Sequence, residues 1–231
     1  MPIIKEAILL AGGLGTRLRS AVPDLPKCMA PVNGIPFIAY VIDYLQQQGI
    51  ERFILSLGYK SEAIINFIQQ QYRGLNIQFV IEKEPLGTGG AIYLAAKKAT
   101  EQNVLIANGD TLFKINTEAL ANTHFNNYAE CTLSLKLMHD FERYGVVTLN
   151  QYQQVISFQE KKFYEEGLIN GGIYALNVEA FLHKKFEEIF SFEKDYLEKY
   201  YTEQKMYGSI QDGYFIDIGI PKDYIKAQKE L

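Results

Sequence analysis

Ile3-Ile4-Lys5-Glu6-Ala7-Ile8-Leu9-Leu10-Ala11-Gly12-Gly13-Leu14-Gly15-Thr16-Arg17 reads as a short apolar strand that runs straight into a glycine-rich loop. The apolar run is far too short to span a membrane or to serve as a secretion signal, and glycines end it abruptly. Downstream, short apolar and β-branched runs alternate with segments of helical period. After the strand at 3–10 the pattern predicts helix over 37–48, strand 53–57, helix 62–71, strand 77–81, helix 91–98 and strand 104–107. That order is a series of βαβ units. Parallel strands need crossover helices on both faces, so the expected fold is a Rossmann-like three-layer α/β/α sandwich with a mostly parallel central sheet. Ligands then bind beyond the carboxyl ends of the strands.

From Cys131 onward the pattern changes. Strand-like stretches at 132–138, 146–149, 155–158 and 172–176 are followed by helices near 178–184 and 192–201. Two last strands, around 207–210 and 214–218, precede a helix that Pro221 can start at its first turn. This half is more mixed than parallel. No linker, repeat or low-complexity tract divides the chain, so 1–231 is expected to be a single domain, with 1–130 and 131–231 as two differently specialised halves.

The composition is that of an ordinary globular protein: 231 residues, 48% hydrophobic and 22% charged. A net charge of −4 argues against broad attraction to nucleic acid or to an anionic membrane, so any phosphate site must be built locally. Cys28 and Cys131 are the only cysteines. They lie far apart in sequence, so neither a disulfide framework nor a thiolate zinc site is suggested, and reduced thiols in a cytoplasmic protein are expected.

Strand ends concentrate the chemistry. Leu10, Ala11, Gly12, Gly13, Gly15 and Thr16 place unblocked backbone N–H groups at the sheet edge, where they can approach a base, a ribose and phosphates, or simply make a tight turn. The loop lacks the last small residue of the dinucleotide fingerprint and the Gly-Lys-Ser/Thr ending of the ATPase loop. Arg17 and Lys27 follow in a segment stiffened by Pro23, Pro26 and Pro31, which delivers two cations to one place. A second glycine loop, Glu82-Lys83-Glu84-Pro85-Leu86-Gly87-Thr88-Gly89-Gly90, follows a strand and opens a helix, which Thr88 alternatively caps. Val104-Leu105-Ile106-Ala107-Asn108-Gly109-Asp110 and Tyr214-Phe215-Ile216-Asp217 each end a strand on a polar group. Singly, Asp110 and Asp217 suit turns; together they suit one Mg²⁺ shared with phosphate oxygens. The second half offers Arg143-Tyr144-Gly145, Gln159-Glu160-Lys161 and Asn170-Gly171-Gly172, which are either hydrogen-bonding groups for a sugar or a β-turn, an exposed ion pair and a glycine bulge.

Gly12 to Leu18 followed by Pro26-Lys27 and Ala30-Pro31 resembles the signature of the sugar-1-phosphate nucleotidyltransferase family, and the resemblance extends over almost the whole chain. Cys28 stands where proline is often found. The Glu-Pro-Leu-Gly-Thr-Gly-Gly loop, Phe190 to Asp195 and Asp212 to Gly219 are most similar to the D-glycero-α-D-manno-heptose 1-phosphate guanylyltransferases. The resemblance implies a GT-A-like nucleotidyltransferase fold and a stand-alone transferase that joins GTP to a heptose 1-phosphate and releases pyrophosphate. UTP or CTP with a hexose or amino-sugar 1-phosphate is the alternative pairing, and a non-catalytic nucleotide-sugar sensor the alternative class.

The same resemblance assigns roles. Arg17 meets the departing β- and γ-phosphates, and Lys27 lies beside the α-phosphate and the sugar phosphate. Asp110 and Asp217 bind Mg²⁺, with Asp110 counted with Arg17 and Lys27 as catalytic. The loop residues from Leu10 to Thr16, with Glu82, Gly87, Thr88 and Asn108, hold the nucleotide; Gly145, Glu160, Lys161, Asn170 and Gly171 hold the sugar phosphate. A homo-oligomer is compatible with the sequence. Arg17→Ala is expected to impair turnover more than folding, checked by steady-state kinetics beside thermal melts.

Overall fold

The computed structural model describes residues 3–13, 18 and 21–231. Its first half contains β1 (Glu6–Leu10), a small hairpin of β2 (Pro31–Val32) and β3 (Ile35–Pro36), α1 (Phe37–Gln47), β4 (Arg52–Leu57) and α2 (Ser61–Gln71). It continues with β5 (Asn76–Ile81), α3 (Gly87–Ala96) and β6 (Asn103–Asn108). The strands pair in parallel in the spatial order β5-β4-β1-β6. Chain direction across the sheet therefore reverses between β1 and β6, and a crevice opens beyond their carboxyl ends.

Alternation along each strand makes the layers. Ala7, Leu9, Phe53, Leu55, Leu105 and Ala107 face one core, which α1, α2 and the C-terminal helix cover with Ile38 and Ile42, Ile64 and Ile68, and Ala227 respectively. Ile8, Ile54, Val104 and Ile106 face the other, against Ile92, Ala95 and Ala96 of α3. The central strands β1, β4 and β6 are buried on both faces, as parallel strands must be, while β5 forms the more exposed edge.

The second half consists of β7 (Thr111–Phe113), α4 (Thr117–Asn126), β8 (Cys131–Phe141), β9 (Val146–Leu149), β10 (Val155–Gln159), β11 (Tyr164–Asn177) and α5 (Val178–Leu182). A wide helical turn (Phe192–Leu197), α6 (Glu198–Tyr200), β12 (Met206–Ile210), β13 (Phe215–Asp217) and α7 (Pro221–Glu230) complete the chain. β11 joins the same sheet antiparallel to β6, β8 lies antiparallel to β11, and β12 lies parallel to β8. The result is the expected three-layer α/β/α sandwich, mostly parallel in one half and mixed in the other. Among the described residues no helix is long and apolar enough to cross a membrane.

Besides the short strands β2, β3 and β7, which the pattern does not contain, three longer elements depart from the sequence expectation. The strand expected at 172–176 is the end of the much longer β11, whose pairing with β8 shifts register between Asn170 and Tyr174, with Gly172 at φ +76°. The helix expected at 192–201 is a wide turn followed by a short helix. It is held by Phe192 and Tyr196, whose rings lie 5.1 Å apart and within 6 Å of Phe181. α4 has no forerunner in the sequence pattern. Its buried face is Thr117, Leu120, Ala121 and His124, too polar for an apolar stripe to reveal it.

His124 is buried, with Nδ1 3.0 Å from Thr132 Oγ1 and Nε2 3.0 Å from Asn103 Oδ1, so it ties α4 to β8 and to the start of β6. Burial pushes its pKa down to about 4. The unfolded chain therefore takes up a proton below the ordinary histidine pKa that the folded chain refuses. Stability is present above pH ~6.5 and is lost as pH falls toward 4, by up to about 3 kcal/mol. Urea midpoints at pH 7.5 and pH 5 should show this fall in the parent and a shallower one in His124→Gln.

Candidate active site

The carboxyl ends of β1 and β6 are stitched together by the Gly109 N–H, which donates to Leu10 O at 2.9 Å, while the Ala11 N–H donates to Ser56 O at the end of β4, at 2.8 Å. Above them opens a cavity of about 970 Å³ that takes in residues from both halves. Leu10, Gly12, Gly13, Lys27, Glu82, Gly87, Thr88, Asn108, Asp110 and Asp217 reach it, as do Gly145, Glu160, Lys161 and Asn170. Gly15, Thr16 and Arg17 lie outside the described residues.

At the floor is a chain of alternating charge. Lys27 Nζ lies 2.5 Å from Asp110 Oδ2 and 3.3 Å from Asp217 Oδ1, all three being partly buried. Asp217 Oδ2 lies 3.5 Å from the Arg143 guanidinium, which also pairs with Asp223 of α7. Lys27 enters from the turn after Pro26, Asp110 from just past β6, and Asp217 from the end of β13, where β13 pairs with β7. In the sequence Arg143 stands out only as a neighbour of Gly145, because its pairing with two aspartates far along the chain leaves no local signal.

The two carboxylates surround one positive group, the Lys27 ammonium, which marks the place as one that favours a cation. Among the described residues no three His, Cys, Asp or Glu side chains gather closely enough to hold a metal. A pair of aspartates completed by substrate phosphate oxygens is the arrangement Mg²⁺ accepts, so the residues present fit that ion.

On the wall built by the first half, Gly12 and Gly58 touch back to back: a Cβ on Gly12 would lie 2.8 Å from Glu82 Oε1, and one on Gly58 2.9 Å from Gly12 O. Only glycine permits this approach. Glu82 is half-buried and accepts from the Leu86 N–H at 3.0 Å, with Ser56 Oγ 3.5 Å from its other oxygen. Gly87 has φ +74°, and a Cβ there would lie 2.5 Å from Phe190 O. Thr88 does not cap its helix. Its hydroxyl donates to Glu193 Oε2 at 2.8 Å and accepts from the Phe192 N–H at 2.9 Å, joining the α3 loop to the second half.

On the other wall, Asn170 donates to the Tyr174 hydroxyl at 2.8 Å and accepts from the Gly172 N–H at 3.0 Å, which fixes its amide at the cavity surface. The glycine bulge and the polar wall are thus one feature. Gly172 lines the cavity; Gly171 does not, because it is buried against the Phe113 ring and Ser134 O. Gly145 lets β9 approach β10, since a Cβ would lie 2.5 Å from Gln159 O. Glu160 and Lys161 are exposed at the rim. Ser56, Tyr59, Tyr144, Ser191 and Glu193 also line the cavity and were not anticipated.

A sequence model described as nucleotidyl transferase matches residues 6–231. The chain belongs to the nucleotidyl transferase family. It is 53% identical to the D-glycero-α-D-manno-heptose 1-phosphate guanylyltransferase of Aneurinibacillus thermoaerophilus, over 98% of each chain. It is 46% identical to the protein of the same name from Campylobacter jejuni, over 95% of this chain and 96% of that one. Among solved structures, HddC from Yersinia pseudotuberculosis complexed with GMP-PN has a TM-score of 0.88 and 36% identity, covering 98% of this chain and 99% of that one.

In this nucleotidyl transferase the cleft holds Glu82 at a cost. Burial pushes its pKa up, only partly offset by the hydrogen bonds from Leu86 and Ser56. A raised carboxyl pKa means stability that is present below the ordinary glutamate range and lost as pH rises through the raised value. Glu82→Gln, which carries no charge, is therefore expected to melt higher than the parent at pH 7, with the gap closing at acid pH; parallel melting curves against pH would contradict this.

Proposed function

We propose that this chain transfers the guanylyl group of GTP to the phosphate of D-glycero-α-D-manno-heptose 1-phosphate, forming GDP-heptose and pyrophosphate. One observation carries the reading: a single cleft at the β1–β6 switch point gathers Lys27, Asp110 and Asp217 between a glycine-built wall and a polar wall. The near full-length likeness to two proteins named for this activity supports the choice of substrates.

The glycine wall receives the nucleotide. A carboxylate at Glu82 can accept from both N1–H and the exocyclic amine of guanine, whereas uracil and thymine offer one such donor; a good bidentate contact discriminates by roughly 1–3 kcal/mol. Asn170 and the exposed Glu160 are assigned to sugar hydroxyls, Lys161 to the sugar phosphate, and Gly145 to a close backbone approach. Arg17 is assigned to the departing phosphates on the resemblance of its loop.

The sugar phosphate is already an anionic nucleophile at neutral pH, so no residue need remove a proton. Its oxygen attacks the α-phosphorus in line, a P–O bond forms, the bond to the β-phosphate oxygen breaks, and pyrophosphate carries that electron pair away. Lys27 offsets charge at the α-phosphate, and the fixed walls hold the reactants in line. Asp110 and Asp217 would hold Mg²⁺, which when bound neutralises phosphate charge. Arg143, anchored by Asp223, orients Asp217.

Pyrophosphate release should be fastest with GTP when heptose 1-phosphate and Mg²⁺ are supplied with each nucleoside triphosphate in turn; faster turnover with UTP, CTP or dTTP would sink the guanylyl assignment. Asp110→Ala should lower kcat/KM by at least about 100-fold, and release at the parental rate would overturn the metal assignment.

A further inference from the structure

Among the cavity groups assigned to neither nucleotide nor ring, Glu193 is the most firmly held. Glu193 lies in the wide turn Phe192–Leu197 and lines the cavity. Its Oε2 accepts from the Thr88 hydroxyl at 2.8 Å and from the Ser191 hydroxyl at 3.1 Å, whereas among the described residues no hydrogen bond or ion pair engages Oε1. Two hydroxyls on one oxygen, themselves held by the Phe192 N–H on Thr88 and the Lys194 N–H on Ser191, leave the carboxylate little rotational freedom. An oriented carboxylate that faces a substrate cavity and keeps one oxygen unused is an acceptor for a ligand donor.

Its neighbours place it on the sugar side. The Phe192 ring lies 5.0 Å from that of Tyr174, whose hydroxyl accepts from Asn170. Burial, and then the Glu193 charge, push the Tyr174 phenol well above its ordinary range, so the carboxylate lies within electrostatic reach of the Asn170–Tyr174 pair. Its chain neighbours Lys194, Leu197 and Glu198 line the cavity with it.

We infer that Glu193, clamped by Thr88 and Ser191, is the specificity-determining residue that accepts hydrogen bonds from the hydroxyls at the far end of the sugar. A seven-carbon sugar ends in a vicinal diol on C6 and C7. A hexose of the same ring configuration ends in a single hydroxyl. An acceptor oriented by two hydroxyls therefore distinguishes the longer sugar by its extra donor, and a site built for a substrate hydroxyl discriminates against the analogue that lacks it. Thr88 then acts through Glu193 rather than on the nucleotide.

This inference rests on the heptose reading of the site. The test measures kcat/KM with GTP for D-glycero-α-D-manno-heptose 1-phosphate and for mannose 1-phosphate, in the parent, Glu193→Ala, Glu193→Gln and Thr88→Val, with thermal melts of each. Removing a hydrogen bond to a charged group should reduce the heptose-to-mannose selectivity by roughly 10–100-fold in Glu193→Ala, through KM more than kcat. Glu193→Gln, which keeps an acceptor oxygen, and Thr88→Val, which loosens the clamp, should lose less. Equal falls on both sugars, or unaltered selectivity in Glu193→Ala, would overturn the inference while leaving the heptose reading intact. A parent enzyme that uses mannose 1-phosphate but not the heptose would overturn the heptose reading and this inference together.

Discussion

The cleft depends on the Lys27 ammonium lying between Asp110 and Asp217. Three segments far apart in the chain are brought to one point by opposite charge in partly buried surroundings, where attraction exceeds that in bulk water. Such a cluster adds little net stability, because removing its members from water costs about as much as their pairing returns. What it fixes is geometry. Any rearrangement that separates the β6 end from the β13 end leaves a carboxylate facing the cavity without its cation.

The rest of the second half keeps that geometry in place. β13 pairs with β7, the strand that follows Asp110, so both aspartates ride on one small sheet. Arg143 bridges Asp217 to Asp223 on α7, and α7 packs Ala227 into the same core that β1 faces. Across the cleft, the Thr88 hydroxyl joins the α3 loop to the turn that carries Glu193. The two walls are thus connected at the floor by charge and at the side by hydroxyls, while glycines at 12, 58 and 87 allow backbones to approach where a Cβ would not fit.

Much of this was legible in the residues. The strands around β1, β4, β5 and β6 are apolar runs bounded by helical periods, and such alternation leaves few topologies open. Asp110 and Asp217 were legible because each ends a strand that points to the same edge. Other features were hidden. The buried face of α4 is half polar because His124 satisfies Thr132 and Asn103 rather than packing as an apolar group. Of the two glycines after Asn170, Gly172 lines the cavity while Gly171 is buried against Phe113, a choice made by the register shift in β11. Thr88 reads as a helix cap or a nucleotide contact, yet its partner lies 105 residues away.

By itself the sequence determined the layer architecture, the edge of the sheet at which ligands bind and the residue types available there. Those follow from period, glycine placement and strand-end charge, all of them local properties. Only the tertiary structure decided which of those groups meet: Lys27 with both aspartates, Arg143 with Asp217 and Asp223, and Thr88 with Glu193. Pairings of this kind depend on chain crossings and strand register, and a contact between residues 74 or more positions apart leaves no mark on the neighbours of either one.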